Sequence, residues 1–86
     1  MNSSSMQAQG PAPKVIDASG LACPLPLLKL KQALHGMAAG EQISLIATDA
    51  NSLIDIQRFC VIAGHQLEII DQQNQRLVFL IQKKGS

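Results

Sequence analysis

From Leu27 onward the aliphatic residues recur at helical spacing, Leu27, Leu30, Leu34 and Met37, while Lys29, Lys31, Gln32 and His35 fall largely on the other side. The pattern predicts an amphipathic helix that starts at Pro24. Gly36 within it costs about 1 kcal/mol relative to Ala, so Gly40 is the expected terminating residue. The period then changes. Over Gln42 to Thr48, Ile43, Leu45 and Ala47 alternate with Ser44 and Thr48, which predicts a strand, and Ile46 puts part of its second face under cover. Leu53, Ile56, Cys60 and Ala63 restore the helical period, with Asp49 as expected N-cap and Gly64 as closing residue.

Strands are predicted on either side of this unit. Lys14 to Ala18 offers Val15 and Ile16, followed by a Ser19-Gly20 turn. Gln66 to Ile70 and Arg76 to Gln82 form a hairpin joined by the polar run Asp71-Gln72-Gln73-Asn74-Gln75. The order is βαβαββ. In so short a chain this predicts an α+β fold: a two-layer α/β sandwich with a four-stranded mixed sheet and two helices on one face. Residues 14–84 are the expected domain. Met1 to Pro13, rich in Ser, Gln, Ala, Gly and Pro, reads as a disordered leader, and Lys83 to Ser86 is expected to fray.

Composition narrows the function. With 86 residues, 47% of them hydrophobic and 15% charged, the chain holds one soluble module and no second domain. There is no Trp or Tyr and only two Phe, so the core must be aliphatic. A net charge of +1 gives no field for steering onto nucleic acid or an anionic bilayer, which points to a protein or small-molecule partner. No apolar run approaches the about 18 residues of a spanning helix. Two cysteines make no disulfide framework, and a reducing cytoplasm is the natural location.

Chemistry gathers at Cys23, in Gly20-Leu21-Ala22-Cys23-Pro24-Leu25-Pro26. A thiol at a helix start faces N–H groups without intrahelical partners and the positive end of the helix dipole. Both favour the thiolate, the nucleophilic form. Pro24 as first helical residue, and Pro26 within the first turn, would stiffen the backbone that presents the sulfur. The same residues also fit a loop-to-helix junction whose cysteine packs as a small hydrophobe, and the local pattern leaves both readings open.

The wider set of residues resolves the choice. Asp17-Ala18-Ser19-Gly20-Leu21-Ala22-Cys23-Pro24-Leu25-Pro26, followed by Gly40-Glu41, Thr48-Asp49, Asp55-Ile56, Phe59-Cys60 and Gly64-His65, closely resembles the TusA/SirA-like family of sulfur carriers, from about Val15 to Lys83. The resemblance implies a cytoplasmic domain in which Cys23 accepts sulfane sulfur as a persulfide and hands it onward. It would act as a carrier of sulfurtransferase type rather than as a self-contained turnover enzyme, with no cofactor and no metal. The implied partners are a cysteine desulfurase or rhodanese-type donor and a downstream acceptor protein, serving tRNA thiolation, molybdenum-cofactor maturation or other sulfur metabolism. Transient partners of this kind make a monomer the default. The chain departs from the family at two places. Leu25 stands between the prolines where tRNA-thiolation relatives often carry an acid, which makes the rim more apolar and bears on partner choice. Ala50 stands where proline is frequent, a structural change.

Other residues have simpler readings. Cys60 could resolve a disulfide with Cys23, but its place on the apolar stripe reads as core. Asp49 could orient the site, although capping accounts for it. His65 follows the closing glycine and reads as satisfied or solvent-facing. Lys29 and Lys31 could assist the thiol, but charges on an amphipathic helix are usually its solvated face. Glu41 belongs to the turn before the second strand. Cys23, Cys60, His35 and His65 lack the short paired spacings of zinc sites. Two alternatives to carriage remain: a thiol redox protein using Cys23 and Cys60, weakened by the absence of Cys-x-x-Cys, and a non-catalytic regulatory or interaction module, weakened for nucleic acid by near-neutral charge and missing Tyr and Trp.

Overall fold

The computed structural model describes residues 13–85. The expected leader, apart from Pro13, lies outside the described residues, as does Ser86. The elements follow the predicted order: β1 (Lys14–Ala18), α1 (Leu25–His35), β2 (Gln42–Ala47), α2 (Asn51–Ala63), β3 (Gln66–Gln73) and β4 (Arg76–Gln82). They build one sheet with strand order β1-β2-β4-β3. β1 pairs with β2 in parallel, whereas β2 with β4 and β4 with β3 are antiparallel.

The alternation in β2 and β4 does what its period demands. Ile43, Leu45 and Ala47 from β2 and Leu77, Phe79 and Ile81 from β4 turn to one side and are buried. Leu30 and Leu34 of α1 and Ile56 and Cys60 of α2 join them in a single cluster, so both helices cover the same face. Complete burial of an aliphatic or phenyl side chain stabilises by about 1.5–3 kcal/mol. Phe79, on a strand flanked on both sides, is the largest fully buried side chain.

Several boundaries differ from the sequence reading, each for a local reason. α1 ends at His35 rather than running to Gly40, with Gly36 as its C-cap. Met37 is nonetheless buried, because the following loop folds back onto the same core and prolongs the apolar period beyond the helix. Lys83 closes this end. Its Nζ donates to the carbonyl oxygens of Leu34 (2.7 Å) and Met37 (2.5 Å), placing a cation where carbonyls lack helical partners. The expected fraying at Lys83 and Lys84 is therefore absent: Lys83 N donates to Glu41 O (2.8 Å) and Lys84 N to His65 Nδ1 (2.9 Å).

β3 runs to Gln73, three residues past the predicted end, with an irregularity between Ile69 and Asp71. The polar run is thus mostly strand. Only Asn74 and Gln75 turn the chain, both with positive φ (52° and 66°), as a two-residue hairpin of the primed type requires. At the other end of β3, Gly64 (φ 84°) ends α2 in the left-handed region, and the amides of Gly64 and His65 both donate to Cys60 O. Among the described residues no helix is long and apolar enough to cross a membrane.

Candidate functional site

Parallel pairing of β1 with β2 sets Ala18 beside Ala47, so the chain leaves both strands at the same edge of the sheet. The segments that follow, residues 19–24 and 48–50, meet there, and each leads into a helix. Crevices at the carboxyl ends of parallel strands are where such folds commonly place ligands and chemistry.

The first segment is held by short hydrogen bonds. Asp17 Oδ1 accepts from Ser19 N (2.9 Å), Gly20 N donates to Thr48 Oγ1 (2.8 Å), and Leu21 N donates to Ala18 O (3.2 Å). Gly20 has φ +79°, a conformation that side chains rarely adopt, so glycine is what allows the tight turn. Asp49 provides the main link between the segments. Its Oδ2 accepts from Cys23 N (2.8 Å) and its Oδ1 from Asn51 N (2.9 Å). These two bonds, Cys23's first, hold the Asp49 carboxyl below its usual pKa. The N-cap of α2 is Ala50 rather than the expected Asp49; one residue earlier, Asp49 still accepts from the first helical amide, Asn51 N, and orients the cysteine loop at the same time.

Cys23 is half-buried, and its Sγ donates to Asp55 Oδ2 on the second turn of α2. The hydrogen bond to Asp55 pushes the thiol pKa up, with partial burial and the charges of Asp55 and Asp49 acting in the same direction. This corrects the expectation of a resting thiolate. The prolines explain the correction. Pro24 and Pro26 carry no N–H, and the amide of Leu25 donates to Ala22 O (2.8 Å), so this helix start has few free donors to offer a sulfur anion. Pro24 is not the first helical residue but the N-cap, its carbonyl accepting from Leu28 N (3.0 Å), and the Cys23–Pro24 peptide bond is cis. Pro26 lies within the first turn and is buried.

Cys60 is 1% exposed within the core, and burial pushes its thiol to about 11. Both cysteines are free. Lys31 does not serve the thiol, since its Nζ lies 5.3 Å from the centre of the Phe59 ring, and Phe59 in turn stands 5.5 Å from His65. Lys29 is exposed. His65 accepts from Lys84 N, and burial followed by the charges of Lys83 and Lys84 lowers its pKa. Glu41 Oε1 accepts from Ala38 N (2.7 Å) in the turn, as expected. Among the described residues no three His, Cys, Asp or Glu side chains gather as a metal would require. Leu25 is 47% exposed at the head of α1, which leaves an apolar side chain next to the cysteine in sequence.

Residues 14–83 match the sulfurtransferase TusA family. The chain belongs to that family. Among TusA-family relatives, the sulfur carrier protein TusA of Allochromatium vinosum is 40% identical over 68 residues, spanning 79% of this chain and 90% of that protein. That of Pseudomonas putida is 43% identical over 73 residues, spanning 83% and 89%. A crystal structure of a SirA-like protein from Desulfitobacterium hafniense superimposes with a TM-score of 0.73 at 27% identity, over 81% of this chain and 96% of that one. The TusA-family fold thus brings Cys23 together with Asp49 and Asp55. From the sequence Asp55 figures only among the residues that carry the family resemblance and is given no role at the site. A further signal is its place as an acid inside the aliphatic run Leu53-Ile54-Asp55-Ile56, adjacent to the buried stripe rather than opposite it.

Proposed function

We propose that this protein carries sulfane sulfur as a persulfide on Cys23 and passes it to an acceptor protein. The observation that carries the proposal is a solvent-reachable thiol fixed by two hydrogen bonds, one at its backbone amide and one at its sulfur, in a chain of the TusA family. Thiol–persulfide exchange needs a sulfur that a partner can reach and that can become a nucleophile on demand. The donor is a cysteine desulfurase or a rhodanese-type protein, and tRNA thiolation and molybdenum-cofactor maturation are candidate destinations. The protein works in the cytoplasm, as a monomer. Burial of Cys60 favours this reading over a redox cycle between the two cysteines, because an oxidant or partner thiol would have to enter the core to reach it.

The test is an intact-mass measurement under non-reducing conditions after incubation with a cysteine desulfurase and cysteine. The expected result is a gain of one sulfur in the unaltered protein and none in Cys23→Ser, with both folded. A loss of two hydrogens would instead establish the redox reading, and no change would leave the interaction module.

A further inference from the structure

The sulfur-bearing side chain is hydrogen-bonded to a carboxylate. That is an unexpected companion for a nucleophile, because a negative neighbour opposes thiolate formation. Asp49, the other acid at the site, already has both oxygens engaged by backbone amides of Cys23 and Asn51. Asp55, by contrast, has the Cys23 sulfur as its hydrogen-bond donor. The arrangement suits one protonation state of the sulfur and works against the other.

We propose that Asp55 is a charge gate that holds the unloaded Cys23 thiol inward and expels the sulfur once it is loaded. This rests on the carrier reading and adds the step that makes release directional. In the unloaded protein the neutral thiol donates to the carboxylate, so its proton is held in place and reaction with stray electrophiles is suppressed. Loading requires a donor persulfide that arrives as its anion, so the negative charge on the products is the one the donor brings. Cys23 Sγ bonds to the terminal sulfur of the donor, the donor's own S–S bond breaks, and the thiol proton passes by way of Asp55 to the departing donor sulfur. The products are a Cys23 persulfide anion and a donor thiol, so charge and atoms are conserved. A persulfide is a stronger acid than its parent thiol and is ionised at neutral pH. It therefore has no proton to donate to Asp55, and two anions face each other where a hydrogen bond stood. Repulsion from Asp55, reinforced by Asp49, turns the terminal sulfur toward solvent and the acceptor.

Asp55→Asn tests this, since it removes the charge at nearly constant shape and leaves an amide that can donate to an anion. Two rates are compared at neutral pH: alkylation of unloaded Cys23 by iodoacetamide, and transfer of sulfur from Cys23, loaded with inorganic tetrasulfide, to cyanide as thiocyanate. The gate predicts opposite signs, with alkylation of the thiol severalfold faster in Asp55→Asn and transfer from the persulfide severalfold slower. Asp55→Glu should restore both directions toward the unaltered protein, and native amide spectra for both variants would show that the fold is kept. Shifts of the same sign in the two states, or no shift in either, would overturn the gate. Failure of the unaltered protein to take up sulfur from tetrasulfide would overturn the carrier reading instead, and is distinguished by the alkylation arm, which needs no sulfur.

Discussion

The chain's two cysteines occupy opposite kinds of place. Cys60 sits on the buried stripe of α2 among Leu, Ile and Phe side chains, and its chemistry is silenced by the cost of forming a charge there. Cys23 sits in a loop tied down by hydrogen bonds to the side chains of Asp17, Thr48, Asp49 and Asp55. Packing makes the first inert. Polar positioning keeps the second reachable but held. A reactive group can thus be kept quiet at rest without being hidden, because a hydrogen bond can be released by a partner whereas a core cannot be opened without unfolding.

The largest expected difference between these regions is in reactivity. Native alkylation should modify Cys23 completely before Cys60 reacts to any measurable extent, by orders of magnitude in rate, as peptide mass mapping would show. Equal rates would break the comparison at its base. Stability should then show the reverse order. Cys60→Ser puts a hydroxyl into an apolar environment at a cost of about 1–3 kcal/mol, lowering Tm by roughly 4–8 °C per kcal/mol in a domain of this size, with sulfur uptake intact. Cys23→Ser should leave Tm unchanged. If Cys60→Ser stopped uptake at unchanged Tm, Cys60 would belong to the reaction and not to the core.

A smaller effect is expected at the join between the loops. Asp49→Ala removes acceptors for Cys23 N and Asn51 N, so Tm should fall by less than for Cys60→Ser while amide exchange at Cys23 quickens. Acid should act in the same direction. The folded Asp49 carboxyl has a lowered pKa, so its contribution is complete above the unfolded value of about 3.9 and is lost as pH falls through the lower folded value. A loop whose exchange did not respond to acid in that range would remove Asp49 as the link. The smallest effect concerns the rim. Leu25→Glu adds charge beside a site that already faces two acids, and should slow sulfur uptake from a protein donor chiefly at low salt, since rim charges act through association rate. Time courses at two ionic strengths would measure it, and an identical slowing at both would place Leu25 in direct apolar contact with the donor instead.

The sequence by itself determined the element order and the apolar faces, because these depend on periods of about two and 3.6 residues, and it singled out Cys23 as the candidate thiol through its motif. It also distinguished Cys60 as core from its position on the stripe of α2. Where α1 stopped was decided by tertiary structure, since Met37 continues the apolar pattern after the helix has ended and Lys83, 49 residues from Leu34, caps the carbonyls. The same holds for the state of the thiol. A helix start read locally favours the thiolate, but the prolines and the Ala22 carbonyl leave few free donors there, and parallel pairing of β1 with β2 carries Asp55 to the sulfur from 32 residues away. Local patterns fix what each segment can become, whereas the charge that faces a given atom depends on segments brought together only by the sheet.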